Sequence, residues 1–247
     1  MQEVPQQETE GQGNLPSWPD GYVNKILCGD CLTLMKGIPD KAVDLVLTDP
    51  PYGVNYEGGQ FHSGDVNIKR EREKLANDTV NVYPELFKEA YRLLKDGSGG
   101  AYIFYADSLS EYVYPPTPFE KYQMLIWGKS NARYAAMMAR YKHNFEPFIW
   151  CQKPPSKWNG KSTETSLWWM EANGKNDLHP TQKPIGVINR MIQNSTNEGD
   201  IVLDPFLGSG TTAVACKALN RQFIGIEINP KYCEIAQRRL AQEYLFT

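Results

Sequence analysis

The feature that most constrains the fold lies between Ile201 and Glu227. Ile201-Val202-Leu203-Asp204 is a short apolar run that ends on an acid. Pro205-Phe206-Leu207-Gly208-Ser209-Gly210 turns the chain, residues 211–219 read as a helix, and Phe223-Ile224-Gly225-Ile226 is a second apolar run ending on Glu227. Glycines in such a turn let the backbone approach a ligand, and the helix that follows offers unpaired N–H groups at its start. Glu227 stands 19 residues after Gly208, where an acid at a strand end is placed to hold ribose hydroxyls. Ala213 occupies the place of a third glycine. The unit therefore favours an adenosine-containing ligand without a pyrophosphate.

The remaining chain alternates in the same manner. Strands are expected at 25–28, 43–47, 100–105, 122–127 and 145–150. Helices are expected at 31–36, with Asp30 as N-cap, and at 83–94, 108–113 and 132–140. A helix over 184–194 carries Ile185, Ile188 and Ile192 as its buried stripe. A last helix from Lys231 to about Tyr244 buries Cys233, Ala236, Leu240 and Tyr244. The pattern predicts an α/β, doubly wound, mostly parallel Rossmann-like sheet, with helices on both faces and a small insertion. Residues 1–20, rich in Gln, Glu, Gly and Pro, read as a flexible tail, with Trp18 packing back onto the domain. Residues 21–152 and 179–247 read as two halves of one domain. The 153–178 segment between them breaks the alternation.

A second stretch stands out after the 43–47 strand: Thr48-Asp49-Pro50-Pro51-Tyr52-Gly53. It presents a carboxylate, two prolines and a ring at a strand's carboxyl end, where open α/β sheets place their ligands. The prolines fix the backbone, so the carboxylate and the carbonyls are held rigidly. Two acceptors and a stacking face suit a flat group that bears an amine, although Asp-Pro-Pro also serves as an ordinary exit from a strand. Residues 54–78 lack a steady apolar period and are long for a loop, which favours a mobile lid. That loop carries Lys69 and Arg70. Lys153, Lys157, Trp158 and Lys161 mix cations with an aromatic, a composition suited to phosphate and base contacts. A surface loop pinned by its tryptophans would look the same.

The net charge of −3 does not announce a nucleic-acid binder, but a local basic groove would be enough. No apolar run has the length of a membrane span, and the start of the chain lacks the pattern of a secretory signal. The five scattered cysteines read as reduced, in a cytosolic protein. Cys28-Gly29-Asp30-Cys31 has no second pair, so no metal site is expected.

Four motifs in order, Asp-Pro-Pro-Tyr at 49–52, His-Pro-Thr-Gln-Lys-Pro at 179–184, Asp-Pro-Phe-Leu-Gly-Ser-Gly-Thr-Thr at 204–212 and Gly-Ile-Glu-Ile-Asn-Pro at 225–230, resemble the DNA amino-methyltransferases. These are S-adenosylmethionine-dependent enzymes that methylate N6 of adenine or N4 of cytosine. The catalytic motif precedes the cofactor loop, an order that looks like the family's β-type members. The resemblance implies that Phe206, Gly208 and Gly210 line the methionine part of the cofactor, with Asp204 near its amino group. It further implies that Thr211 and Thr212 hold its carboxylate, that Glu227 binds the ribose and that Asp30 reads the adenine. Lys183 falls in the motif that packs over the cofactor. Asp49 and the Pro50 carbonyl would accept both amine hydrogens, Pro51 would stiffen the turn, and Tyr52 would stack on a base flipped out of duplex DNA. An Asp at the head of that motif favours adenine. A cytosine-N4 enzyme is the alternative, and a non-catalytic DNA-binding relative is a third reading. The 153–178 recognition segment, about 26 residues, is short for the family, which suggests a short target, help from the 54–78 loop, or a homodimer. The implied setting is the cytoplasm of a bacterium, with the gene bacterial or phage-borne.

Overall fold

The computed structural model describes residues 15–51, 82–130, 144–170 and 183–242. In chain order the elements are β1 (Lys25–Cys28), α1 (Cys31–Met35), β2 (Leu45–Thr48), α2 (Tyr83–Leu93), β3 (Gly100–Phe104), α3 (Ser110–Val113), β4 (Lys121–Lys129) and β5 (Phe145–Gln152). They continue with β6 (Leu167–Met170), α4 (Ile185–Ser195), β7 (Ile201–Asp204), α5 (Thr211–Ala218), β8 (Gln222–Glu227) and α6 (Pro230–Gln242). The strands form one 8-stranded sheet in the order β1-β8-β7-β2-β3-β5-β4-β6. All pairings are parallel except those of β5, which runs against both β3 and β4.

Helices cover both faces. On one, Met35, Leu86, Phe87, Ala90, Leu93 and Val113 of α1, α2 and α3 pack on Val46, Ala101, Ile103, Leu203 and Ile226. On the other, Val187, Ile188, Met191 and Ile192 of α4, Ala215 and Cys216 of α5 and Ala236 of α6 pack on Leu45, Leu47, Phe104, Phe148 and Val202. A strand covered on both sides has to be apolar at successive positions. That is why Leu45-Val46-Leu47 reads as an unbroken run and is wholly buried. Ile185 departs from its expected place. It is 42% exposed, at the first turn of α4 past the strand ends, and Val187 and Met191 complete the stripe instead.

The windings diverge between β7 and β2. From β7 the chain passes through α5 to β8 on one side; from β2 it proceeds to α2 and β3 on the other, with the two helices on opposite faces. This is a topological switch point, which leaves a crevice beyond the carboxyl ends of β7 and β2. The glycine loop and Asp49 both begin there.

Two expectations need correction. Residues 15–20 do not belong to a tail: the Trp18 ring packs 6.1 Å from that of the buried Tyr22, and Gly21 N–H donates to the Ser17 carbonyl. Residues 1–14, the 54–78 loop, the 132–140 helix and Tyr244 lie outside the described residues. The larger correction concerns 153–170; the remainder of the 153–178 segment lies outside the described residues. The reversed β5 delivers its end to the amino edge of the parallel strands, away from the crevice. There Lys157 N–H donates to the Ser98 carbonyl, and Asn159 N–H donates to Asn194. The chain then returns as β6, an unexpected edge strand parallel to β4, and reaches the crevice end again at Met170.

Candidate active site

Asp204 closes β7 and turns inward. Thr48 Oγ1 donates to its Oδ1 at 2.8 Å, Thr212 Oγ1 donates to its Oδ2 at 2.6 Å, and Phe206 N–H donates to Oδ1 at 3.1 Å. The Thr48 bond crosses the switch point and ties the end of β2 to the end of β7. Burial pushes the Asp204 carboxyl up to about 6, against the opposing pull of those hydrogen bonds. The Thr212 hydroxyl has one proton, and that proton goes to Asp204. Thr212 therefore orients the aspartate. Thr211 Oγ1 accepts from Arg239 Nη1 at 3.3 Å.

The loop beyond Asp204 is fixed by glycine geometry. Gly210, the N-cap of α5, has φ 88°, and a Cβ there would lie 2.8 Å from Ala236 Cβ. Only glycine takes that conformation without strain. Glu227 holds the loop from the next strand: Gly208 N–H donates to Oε2 and Asn229 N–H to Oε1, both at 2.8 Å. Burial raises the Glu227 pKa. Asp30 lies at the end of β1, next to β8, and caps α1 by accepting from Thr33 N–H at 2.8 Å. Asp30, Glu227, Asp204 and Asp49 thus stand at successive strand ends.

This donor and acceptor set fits S-adenosylmethionine. The Asp204 carboxylate is buried against hydroxyls and one amide, with no cation among its hydrogen-bond partners in the described residues. A ligand ammonium would supply the missing charge. Glu227 offers oxygens with lone pairs to spare for ribose hydroxyls. Among the described residues no group of metal-ligating side chains occurs.

Asp49 has a partner that the sequence did not suggest. Lys183, at the entry to α4, directs Nζ to Asp49 Oδ2 at 2.5 Å. The same Nζ lies 2.9 Å from Glu146 Oε2, an ion-pair distance off the line of a good hydrogen bond. It also sits 4.7 Å over the Phe104 ring. Lys129 Nζ meets the other Glu146 oxygen at 2.5 Å. Burial works against the charge on Lys183, but Asp49 and Glu146 outweigh it and hold its pKa above the ordinary lysine value. Burial likewise opposes ionisation of Glu146, and the two lysines outweigh it and lower its pKa. Tyr83, buried at the start of α2, donates to the Phe104 carbonyl, and burial and then Asp49 raise its pKa. Sequence reasoning missed Glu146, Lys129, Thr48 and Tyr83. Only a Glu inside an otherwise apolar strand gave a signal for the first.

Of the expected DNA contacts, Lys153 is corrected. It is buried, and Nζ donates to the carbonyls of Tyr91 and Leu94, where it closes the end of α2. Lys157 pairs with Asp200 at 2.6 Å. The Trp158 ring lies 4.9 Å from that of Trp150, and Lys161 is exposed. Tyr52, Lys69 and Arg70 lie outside the described residues.

A nucleoside-binding glycine loop with a terminal acid, joined across the switch point to Asp-Pro-Pro, defines a Rossmann-like methyltransferase. The family profile described as DNA methylase matches residues 43–238, and the chain belongs to that family. It is 32% identical to the type II methyltransferase M.HinfI of Haemophilus influenzae, over 90% of this chain and 69% of that protein. It is 30% identical to the DNA adenine methyltransferase YhdJ of Escherichia coli, over 87% and 82%. Among solved structures it resembles M1.HpyAVI in complex with SAM, with TM-score 0.66 and 28% identity over 87% of this chain and 99% of that one. The cytosine-N4-specific PvuII DNA methyltransferase shares the fold at TM-score 0.65 and 17% identity, over 87% and 85%. The protein is an S-adenosylmethionine-dependent DNA methyltransferase. No helix of the described residues is long and apolar enough to cross a membrane.

Proposed function

We propose that the protein transfers a methyl group to N6 of an adenine flipped out of duplex DNA, with Asp49 as the principal acceptor for the amine. The observation that carries this reading is the position of Asp49 at the switch point. The Thr48–Asp204 hydrogen bond joins its strand to the glycine loop, so amine acceptor and donor site share one crevice. S-adenosylmethionine supplies an activated methyl group when bound. Asp204 would hold its amino group, Phe206, Gly208, Gly210 and Thr211 its methionine portion, Glu227 its ribose and Asp30 its adenine.

The chain's own contribution is alignment and charge. An aromatic amine is a poor nucleophile because its lone pair is delocalised into the ring. Hydrogen bonds from the amine to the Asp49 carboxylate and the Pro50 carbonyl draw the nitrogen toward a tetrahedral form. They also stabilise the positive charge that develops on it. Pro51 restrains that turn, Tyr52 is proposed to stack on the flipped base, and holding nitrogen and methyl in line supplies the rest of the acceleration. Similarity to a DNA adenine methyltransferase and the Asp at the head of Asp-Pro-Pro-Tyr favour adenine over cytosine. Labelled methyl donor and duplexes containing a single adenine or a single cytosine test the choice. Label entering only the adenine duplex is expected, and label entering only the cytosine duplex overturns it.

A homodimer acting in the bacterial cytoplasm is part of the same proposal. Exposed Met124, Leu167 and Trp169 at the β4–β6 edge support self-association, and sedimentation reads it directly.

A further inference from the structure

Glu146 has no role in the reaction as set out so far. It occupies the second position of β5, opposite Trp127 of β4. Because β5 is the reversed strand, its beginning, not its end, lies at the crevice. Asp49 follows β2, and β3 runs between β2 and β5. Lys183 spans that gap above the Phe104 ring, with one carboxylate on each side. Lys129 closes the row on the far side of Glu146. The charges alternate along it: Asp49, Lys183, Glu146, Lys129.

A partly buried row of this kind is a poor device for stability, because desolvation consumes most of the attraction. Its effect on Asp49 is larger. Paired with Lys183 alone, Asp49 would face a full, nearly buried positive charge. That charge would compete with the amine for the carboxylate and oppose the positive charge that develops on the amine nitrogen. A second carboxylate on the same ammonium divides its attraction.

We propose that Glu146 is a positioning residue for methyl transfer: it shares the Lys183 ammonium with Asp49, so that Asp49 is held in place yet remains an effective acceptor. This rests on the reading of Asp49 given above. It goes beyond that reading by assigning a role to a residue outside the family's catalytic and cofactor motifs, one that acts through Lys183.

The test uses the full chain and three variants, D49A, E146Q and E146D. Single-turnover methyl transfer to an adenine duplex is measured beside calorimetric affinity for S-adenosylmethionine and the thermal midpoint. E146Q keeps the size but loses the charge and turns one of the two oxygens that face Lys129 and Lys183 into a donor. It is expected to slow transfer by at least about tenfold while donor affinity stays within about threefold. E146D, which restores the charge one methylene short, is expected to fall between E146Q and the unaltered protein. If E146Q does not fold, E146D is held to the same criterion of slower transfer at unchanged donor affinity. Unaltered transfer in the folded Glu146 variants overturns the inference. So does a fall in donor affinity parallel to the fall in rate, the mark of a merely structural residue. D49A separates the two levels of the argument. If D49A is inactive while E146Q is not impaired, only the inference fails; if D49A transfers normally, the reading of Asp49 fails and the inference with it.

Discussion

The proposed donor half of the crevice and its proposed acceptor half are built in opposite ways. In the donor half, Asp204, the glycine loop, α5 and Glu227 follow one another within residues 201–227. Three of the bonds that fix them span at most 19 positions, Thr212 to Asp204, Gly208 to Glu227 and Asn229 to Glu227, and the Thr48–Asp204 bond across the switch point is the long-range exception. In the acceptor half, Asp49 comes from β2, Lys129 from β4, Glu146 from β5 and Lys183 from the start of α4. The Asp49–Lys183 pair joins residues 134 positions apart. A local unit holds its geometry as the chain closes on itself, whereas the acceptor row exists only once the whole sheet has formed. Loss of the acceptor should therefore stop chemistry and spare donor binding, and loss of the loop acid should do the reverse.

The largest expected effect is that of D49A. Removing the proposed principal acceptor should lower single-turnover transfer by about 10²–10³-fold or more, while calorimetry finds donor affinity nearly unchanged. Parallel loss of both would erase the contrast between the halves. E227A comes next. It removes the proposed ribose acceptor and also frees the Gly208 and Asn229 N–H groups, so donor affinity should fall roughly 10–100-fold. Saturating donor should then restore much of the transfer rate. An unchanged dissociation constant would show that the loop needs no carboxylate at β8.

A pH series sharpens the donor half further. In the ligand-free fold Asp204 holds its proton up to about 6, above the ordinary aspartate value. The fold thus binds this proton more tightly than the unfolded chain does, and its contribution to stability is lost as pH rises through that interval. Donor binding has the opposite sign if the ammonium needs the ionised carboxylate. Affinity should weaken progressively as pH falls below about 6, by at most tenfold per unit. D204N should flatten that dependence.

The smallest effect falls outside both halves. K153M leaves the carbonyls of Tyr91 and Leu94 without their buried donor, which should cost about 1–3 kcal/mol in chemical denaturation. DNA affinity and its dependence on salt should not change, because this buried ammonium is engaged by the two carbonyls and lies 3.5 Å from Asp96. A shallower salt slope in K153M would return Lys153 to the DNA interface.

Much of the donor half was legible because its signals are local. An apolar run ending on an acid, two glycines at short spacing and an acid after the next strand can each be read within one turn or one strand. The Asp30 cap on α1 was legible for the same reason. Lys153 shows the opposite case. A lysine beside two prolines looks like a surface cation, and nothing nearby in sequence shows that α2 will end above it with two carbonyls to fill. Glu146 is one acid in an otherwise apolar strand, and its place at the crevice follows only from the direction of that strand.

The sequence by itself determined the family, the parallel winding around the glycine loop and the place of Asp-Pro-Pro-Tyr at a strand end, since each depends on patterns of a few residues. Tertiary structure alone decided that β5 runs backward. That reversal sends 153–159 to the far edge of the sheet and brings Glu146 to the crevice. Strand direction depends on which edge of the sheet is left to pair and on how the connections cross the layers, and both arise from contacts far apart in the chain. The same long-range packing carries Lys183 to Asp49 and places the end of β2 against the end of β7, where acceptor and donor meet.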